Sequence, residues 1–179
     1  MLFRSVTEEI IDTLMPDAVV IATGSSEVML NEIPGIKKEK VATASEVLDG
    51  IKVAGQNVIM VGGGLVGCET ALWLAQQGKT VTIVEAFSDI LSSGKPIPHM
   101  NKIMLIDLLK INKVEKITST ALLEVTDEGA LLINNKFGKS EVKADTVVLA
   151  VGFKSERELF YKMNGKIADL YIEIGRAHV

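Results

Sequence analysis

Three glycines and one acid hold the spacing in this chain from which chemistry can be read. Gly62, Gly64 and Gly67 form GxGxxG inside the run GGGLVG, and Glu85 lies beyond them, near the roughly 20-residue distance expected of an acid that binds a ribose 2′-hydroxyl. Each glycine has a separate reason to lack Cβ. Gly62 lets the chain turn sharply, Gly64 clears the backbone's approach to a pyrophosphate, and Gly67 lets a helix lie close to a strand. No Lys or Arg stands in the turn, and none is required where helix N–H groups and the positive dipole end face a phosphate. Glu85 would repel a 2′-phosphate, and no Arg or Lys occurs between it and Lys95, so NADH is expected over NADPH.

The flanking elements fit that chemistry. Val58 to Val61 is a short apolar run of the kind buried on both faces of a parallel sheet. A helix from about Leu65 to Gln77 and a second strand, Thr80 to Val84, complete a βαβ unit. The expected cofactor-binding positions here are Gly62, Gly63, Gly64, Leu65, Val66, Gly67, Glu69 and Glu85. Cys68 sits on the first helical turn, where a lowered pKa competes with a role as a small packed residue.

Upstream, Pro34, Gly35 and the charged run Lys37 to Lys40 read as a loop, and ATASEVLDG as a short helix capped by Ser45 or Thr43 and stopped at Gly50. Downstream, Ser92, Ser93, Gly94, Pro96 and Pro98 mark a loop that includes His99 as an exposed residue. Residues 100–111 carry apolar positions at helical spacing, with methionines as core filler. Lys116 to Val142 reads as a three-stranded antiparallel meander, and Asp145 to Gly152 as a closing parallel strand.

An internal repeat frames the unit. DAVVIATGS begins at Asp17 and DTVVLAVGFK at Asp145, each an acid, a buried-type strand and a glycine turn. Such a turn returns the chain to the mouth of a nucleotide site, so two returns imply two sites. Only the second follows the GxGxxG unit and can close it. Ala22, Thr23, Gly24, Ser25 and Gly152 are therefore expected to approach bound nucleotide.

Composition sets outer bounds. The chain has 179 residues, 47% hydrophobic and 23% charged, with a net charge of −4. That suffices for one full domain and part of another. The charge argues against nucleic acid or an anionic membrane surface as partner, and the apolar stretches are strand-length, too short to span a bilayer. One cysteine excludes an internal disulfide framework and fits a reducing compartment such as the cytoplasm.

GGGLVGCETA resembles the second-nucleotide motif GGGxxGxExA of the pyridine nucleotide-disulfide oxidoreductase superfamily, flavoproteins with two dinucleotide-binding domains. Gly62, Gly63, Gly64, Gly67, Glu69 and Ala71 match it. PDAVVIATGS and ADTVVLAVGF resemble the two ATG-type motifs that flank an inserted NAD domain within an FAD domain. The run from Pro34 to Glu85 is most similar to the C-terminal half of the 2-enoate reductase and 2,4-dienoyl-CoA reductase group. The resemblance implies an α/β fold: a Rossmann-like NAD-binding domain with the antiparallel meander, flanked by partial FAD-domain segments. It implies residues 6–45 and 153–172 as FAD-domain segments and 46–152 as the NAD(P)-binding domain. It further implies hydride transfer from NADH to FAD. In the parent, electrons would pass through an iron–sulfur cluster to FMN in an N-terminal barrel that reduces an activated C=C bond. Another flavoprotein NADH oxidase, a ferredoxin-type reductase and a non-enzymatic NAD-binding module stay open as alternatives. Cofactors would carry the chemistry, so no acid, base, nucleophile or metal ligand is nominated. Glu69 would orient the nicotinamide side, or simply favour the helix dipole.

Two departures accompany the resemblance: the upstream FAD fingerprint is missing, and Arg176 in DLYIEIGR stands where the family has a flavin-contacting Asp. MLFRS and IGRAHV can both be encoded by one oligonucleotide read in opposite directions, a string that resembles a sequencing-library adapter. Residues 1–5 and 173–179 are accordingly expected to be adapter-derived, with Met1 no true start and natural sequence ending near Ile172. Adapter-free sequencing of the source locus should lack these codons; finding them there would refute the expectation.

Overall fold

The computed structural model describes residues 6–92 and 96–173. In chain order the elements are α1 (Glu8–Leu14), β1 (Ala18–Ile21), β2 (Ser25–Glu27), β3 (Val41–Thr43), α2 (Ala44–Leu48), β4 (Asn57–Val61), α3 (Leu65–Gln76), β5 (Thr80–Val84), α4 (His99–Ile111), β6 (Glu115–Ile117), β7 (Thr120–Val125), β8 (Gly129–Asn134), β9 (Lys139–Lys143), β10 (Thr146–Leu149), β11 (Phe153–Ser155), α5 (Glu158–Met163) and β12 (Asp169–Ile172). Two compact units result. One comprises Glu27–Gly152 and the other the two flanking segments.

The Glu27–Gly152 unit has three layers. Its centre is a five-stranded sheet in the order β3-β10-β4-β5-β6, in which every pairing is parallel. The period of two along a strand sends alternate residues to opposite faces. Val58 and Met60 of β4 join Val81, Ile83, Cys68, Ala71, Leu74, Leu105 and Leu109 under the helices. Ile59 and Val61 join Val147, Leu149, Leu122, Val125 and Leu132 beneath the antiparallel β7-β8-β9 sheet. Burial on both faces is why β4 and β10 read as continuous apolar runs.

Thr43 caps α2: its side chain accepts from Glu46 N while the Glu46 carboxylate accepts from Thr43 N at 2.9 Å, a reciprocal capping box. The meander forms over 120–143, but Glu115–Ile117 does not belong to it. Those residues pair with β5 as the parallel edge strand, a distinction invisible in a three-residue run whose partner lies far along the chain. His99 is not in the loop; it is exposed and opens α4 behind the N-cap Pro98. The compact unit begins at Glu27: β3 pairs with β10 and so ties the preceding loop into the sheet. Ser93, Gly94, residues 1–5 and Arg176 lie outside the described residues.

The flanking unit pairs β1 with β12 in parallel, Ala18↔Asp169 through Ile21↔Ile172. β1 departs from the expected buried strand. Only Ile21 is buried, and Val20 is 67% exposed, because β1 has one strand neighbour whereas β10 has two.

Among the described residues, Thr70 Oγ1 is the buried side-chain oxygen without a hydrogen-bond partner. An unsatisfied buried hydroxyl costs about 1–3 kcal/mol. Thr70→Val, nearly equal in shape, is expected to raise stability by about 1 kcal/mol in urea unfolding; a fall would show that the hydroxyl has a partner in solution.

Candidate functional site

The carboxyl ends of β10, β4 and β5 lie side by side, and each continues into a segment singled out by the sequence. β4 runs into Gly62, β5 into Glu85 and β10 into Ala150. Backbone bonds lock these ends together: Gly62 N donates to Val84 O at 2.9 Å and Ala150 N to Val61 O at 2.8 Å. A parallel sheet presents its ligand crevice at this edge.

The three glycines of the motif differ in what a Cβ would meet. Gly62 has φ +107°, and a Cβ there would lie 2.4 Å from Ala150 O. The second repeat thus closes directly on the glycine turn. At Gly67 a Cβ would lie 2.0 Å from Gly62 O, so the first turn of α3 rests on the end of β4. Gly64 is different: it is the N-cap of α3, and a Cβ would meet nothing within 4 Å. Space therefore opens where α3 presents its first N–H groups. Leu65 and Val66, 43% and 37% exposed, follow on that turn. These residues fit a dinucleotide's pyrophosphate: an open glycine cap on a twelve-residue helix over a closely packed strand end.

Gly63 has a role that the motif does not reveal. Its N–H donates to Glu85 Oε2 at 2.5 Å, and its carbonyl accepts from Leu91 N at 2.7 Å and from Cys68 Sγ at 3.3 Å. A Cβ would meet Ile90 Cγ2 at 2.7 Å and Glu85 Oε2 at 3.0 Å. Glu85 is 6% exposed, and its Oε1 accepts from Phe87 N at 2.8 Å. Its main chain is equally tied, N to Ile117 O and O to Thr120 N, both 2.9 Å. The loop after β5 is fastened by Lys102 Nζ on Leu91 O at 2.9 Å and by the Lys116–Asp89 pair at 3.1 Å. Lys116 beside Asp89 holds that carboxyl below its usual range. Sequence reasoning missed Phe87, Ile90 and Leu91, because their part in the site comes from loop folding and no motif marks it.

Glu69 is exposed on α3, on the helix face shared at i±4 with Leu65 and Trp73. Gly152 follows β10 with φ +110° and open space at its missing Cβ. In the flanking unit Gly24 has φ +77° and is likewise open. Ala22, Thr23 and Ser25 are exposed around it, with Thr23 Oγ1 donating to Glu156 O at 2.9 Å. The two sets fall in different units.

A depression of about 770 Å³ lies at the opposite edge of the sheet, lined by Lys38, Lys40, Lys52, Asp127 and Asp145. Its lysines are already engaged. Lys38 pairs with Asp127, Lys40 Nζ donates to Ala144 O at 2.9 Å, and Lys52 Nζ to Val41 O at 2.7 Å.

The sequence profile of the pyridine nucleotide-disulphide oxidoreductase family matches residues 5–176, and the chain belongs to that family. The family uses FAD and NAD(P)H. The chain is 50% identical over 144 residues to a cinnamate reductase of Clostridium sporogenes, covering 80% of this chain and 21% of that protein. It is 38% identical over 149 residues to an NADH oxidase of Thermoanaerobacter brockii, covering 80% and 22%. A solved 2-naphthoyl-CoA reductase superposes with a TM-score of 0.82 at 26% identity, over 93% of this chain and 25% of that one. The chain thus spans about a fifth of these curated relatives. Among the described residues no helix is long and apolar enough to cross a membrane.

Cys68 does not have the lowered pKa that a helix N-terminus permits. Burial, then the charges of Glu85 and Glu69, push its thiol from 9.0 up to about 12. The folded state thus holds this proton more tightly than the unfolded chain. The associated stability is present in full below about pH 9 and is lost as pH rises towards about 12. Urea unfolding at stepped pH should show a steeper alkaline decline for the wild type than for Cys68→Ala; equal slopes would refute the assignment.

Proposed function

We propose that residues 46–152 are the NADH-binding part of a flavin-dependent reductase and that residues 6–45 and 153–172 supply half of its FAD site. The observation that carries the reading is the open cap at Gly64, set between the packed turn at Gly62 and Gly67 and the acid that ends β5. NADH bound there would deliver hydride to FAD, and the chain's own work is binding and orientation. Gly64, Leu65 and Val66 would offer backbone amides to the pyrophosphate. Glu85 would accept from the adenosine ribose and oppose a 2′-phosphate, which favours NADH over NADPH. Glu69 would sit towards the nicotinamide end. Ala22, Thr23, Gly24, Ser25 and Gly152 would approach nucleotide through backbone.

In the intact cytoplasmic parent, an N-terminal barrel with FMN and an iron–sulfur cluster would receive the electrons and reduce an activated C=C bond of enoate type. The 50% identity to a cinnamate reductase supports that substrate class. The NADH oxidase relative supports a second reading, with dioxygen as acceptor. The intact parent separates the two. Anaerobic NADH oxidation that depends on added cinnamate-type acid supports the first, and oxidation that requires only dioxygen supports the second. For this chain, titration should show NADH bound at least tenfold more tightly than NADPH, and weak FAD retention. Gly64→Ala should unfold like the wild type but lose tenfold or more in NADH affinity, whereas Gly67→Ala, whose Cβ meets backbone, should lower stability itself. Equal NADH and NADPH affinity would overturn the cofactor assignment.

A further inference from the structure

Glu85 does more than end β5 in an acid. A carboxylate that is 6% exposed needs compensation, and among the described residues it has no ion pair. Two backbone amides from different segments serve instead: Gly63 in the turn after β4 and Phe87 in the loop after β5. Each carboxylate oxygen has a second acceptor position, so a ribose hydroxyl can still be received. The Gly63 peptide is gripped on both sides, its N–H by Glu85 and its carbonyl by Leu91 N and Cys68 Sγ. Its N–H is therefore committed to the protein. The amides left to face a phosphate are those of Gly64, Leu65 and Val66, whose direction follows from how the preceding peptide is held.

We propose that Glu85 is a positioning residue for the phosphate end of the site: its carboxylate pins the Gly63 peptide and so aims the amides that begin α3. This rests on the reading of residues 46–152 as a dinucleotide site. It differs from a role on the ribose alone, because loss of Glu85 then weakens ligands that have no 2′-hydroxyl.

The test uses the whole chain with Glu85→Ala and Glu85→Gln, titrated with ADP and with 2′-deoxy-ADP, alongside amide hydrogen exchange at Gly63, Phe87 and Ile59. Glu85→Ala should weaken 2′-deoxy-ADP at least tenfold. It should also speed exchange at Gly63 and Phe87 at least tenfold while leaving Ile59, in the middle of β4, unchanged. Glu85→Gln, which keeps one acceptor oxygen, should fall between and carries the test if the alanine variant does not fold. Unchanged 2′-deoxy-ADP affinity, even with ADP weakened, would confine Glu85 to the ribose and overturn the proposal, as would unchanged exchange at Gly63. Failure of the wild type to bind either nucleotide would overturn the dinucleotide reading and this proposal with it, and that result is distinct from binding that survives the substitution.

Discussion

The contact between the first turn of α3 and the end of β4 is the constraint on which the other features of the site depend. Gly67 comes so near Gly62 that a methyl group would lie 2.0 Å from its carbonyl oxygen. Backbone cannot yield as a side-chain tip can, so the helix axis is set against the strand at that distance. From this follow the position of the open cap at Gly64 and the burial of Cys68, Ala71 and Leu74 against Met60 and Ile83. The thiol's raised pKa has the same origin: the helix is pressed onto the sheet beside Glu85. The N-terminus of α3 stays open at Gly64, while burial suppresses thiolate formation one turn further on at Cys68.

How much of this was legible in the residues depended on range. The βαβ unit could be read because its signals are local: a double-faced apolar run, glycines in fixed spacing and helical periodicity between two strands. The capping box at Thr43 and Glu46 is also local. Gly63 could not be interpreted that way. Its reason for being glycine is Ile90 and Glu85, more than twenty residues on, and no spacing rule carries that contact. The edge strand Glu115–Ile117 was merged with the meander because three residues have too little pattern to choose between a parallel neighbour in one sheet and an antiparallel neighbour in another.

Asp145, the acid that opens the second repeat, shows how one sequence signal can belong to a different end of the fold from its companion glycine. Asp145 Oδ2 accepts from Asn57 N at 2.7 Å and from Asn57 Nδ2 at 3.0 Å, and these bonds hold its carboxyl below the usual range. It fastens the start of β10 to the start of β4, at the edge of the sheet away from the glycine turn. The acid thus ties two strand starts together, and the glycine that ends the same repeat follows the other end of β10.

The repeat is one of backbone geometry and not of packing. β1 and β10 occupy equivalent places in DAVVIATG and DTVVLAVG, yet β10 is wholly buried and β1 largely exposed. What both copies share is the exit. Gly24 and Gly152 each take a positive φ with open space at the missing Cβ. Each carbonyl then accepts from a residue that follows the other glycine, Val28 N on Gly152 O and Glu156 N on Gly24 O, both at 3.0 Å. The strands that leave the two turns, β2 and β11, pair with each other. Burial depends on how many neighbours a strand is given, which differs between the copies. The left-handed exit depends only on a missing Cβ and on where the next strand must go. That is why apolar character misled at β1, while the glycine at the end of the same motif takes a positive φ in both copies.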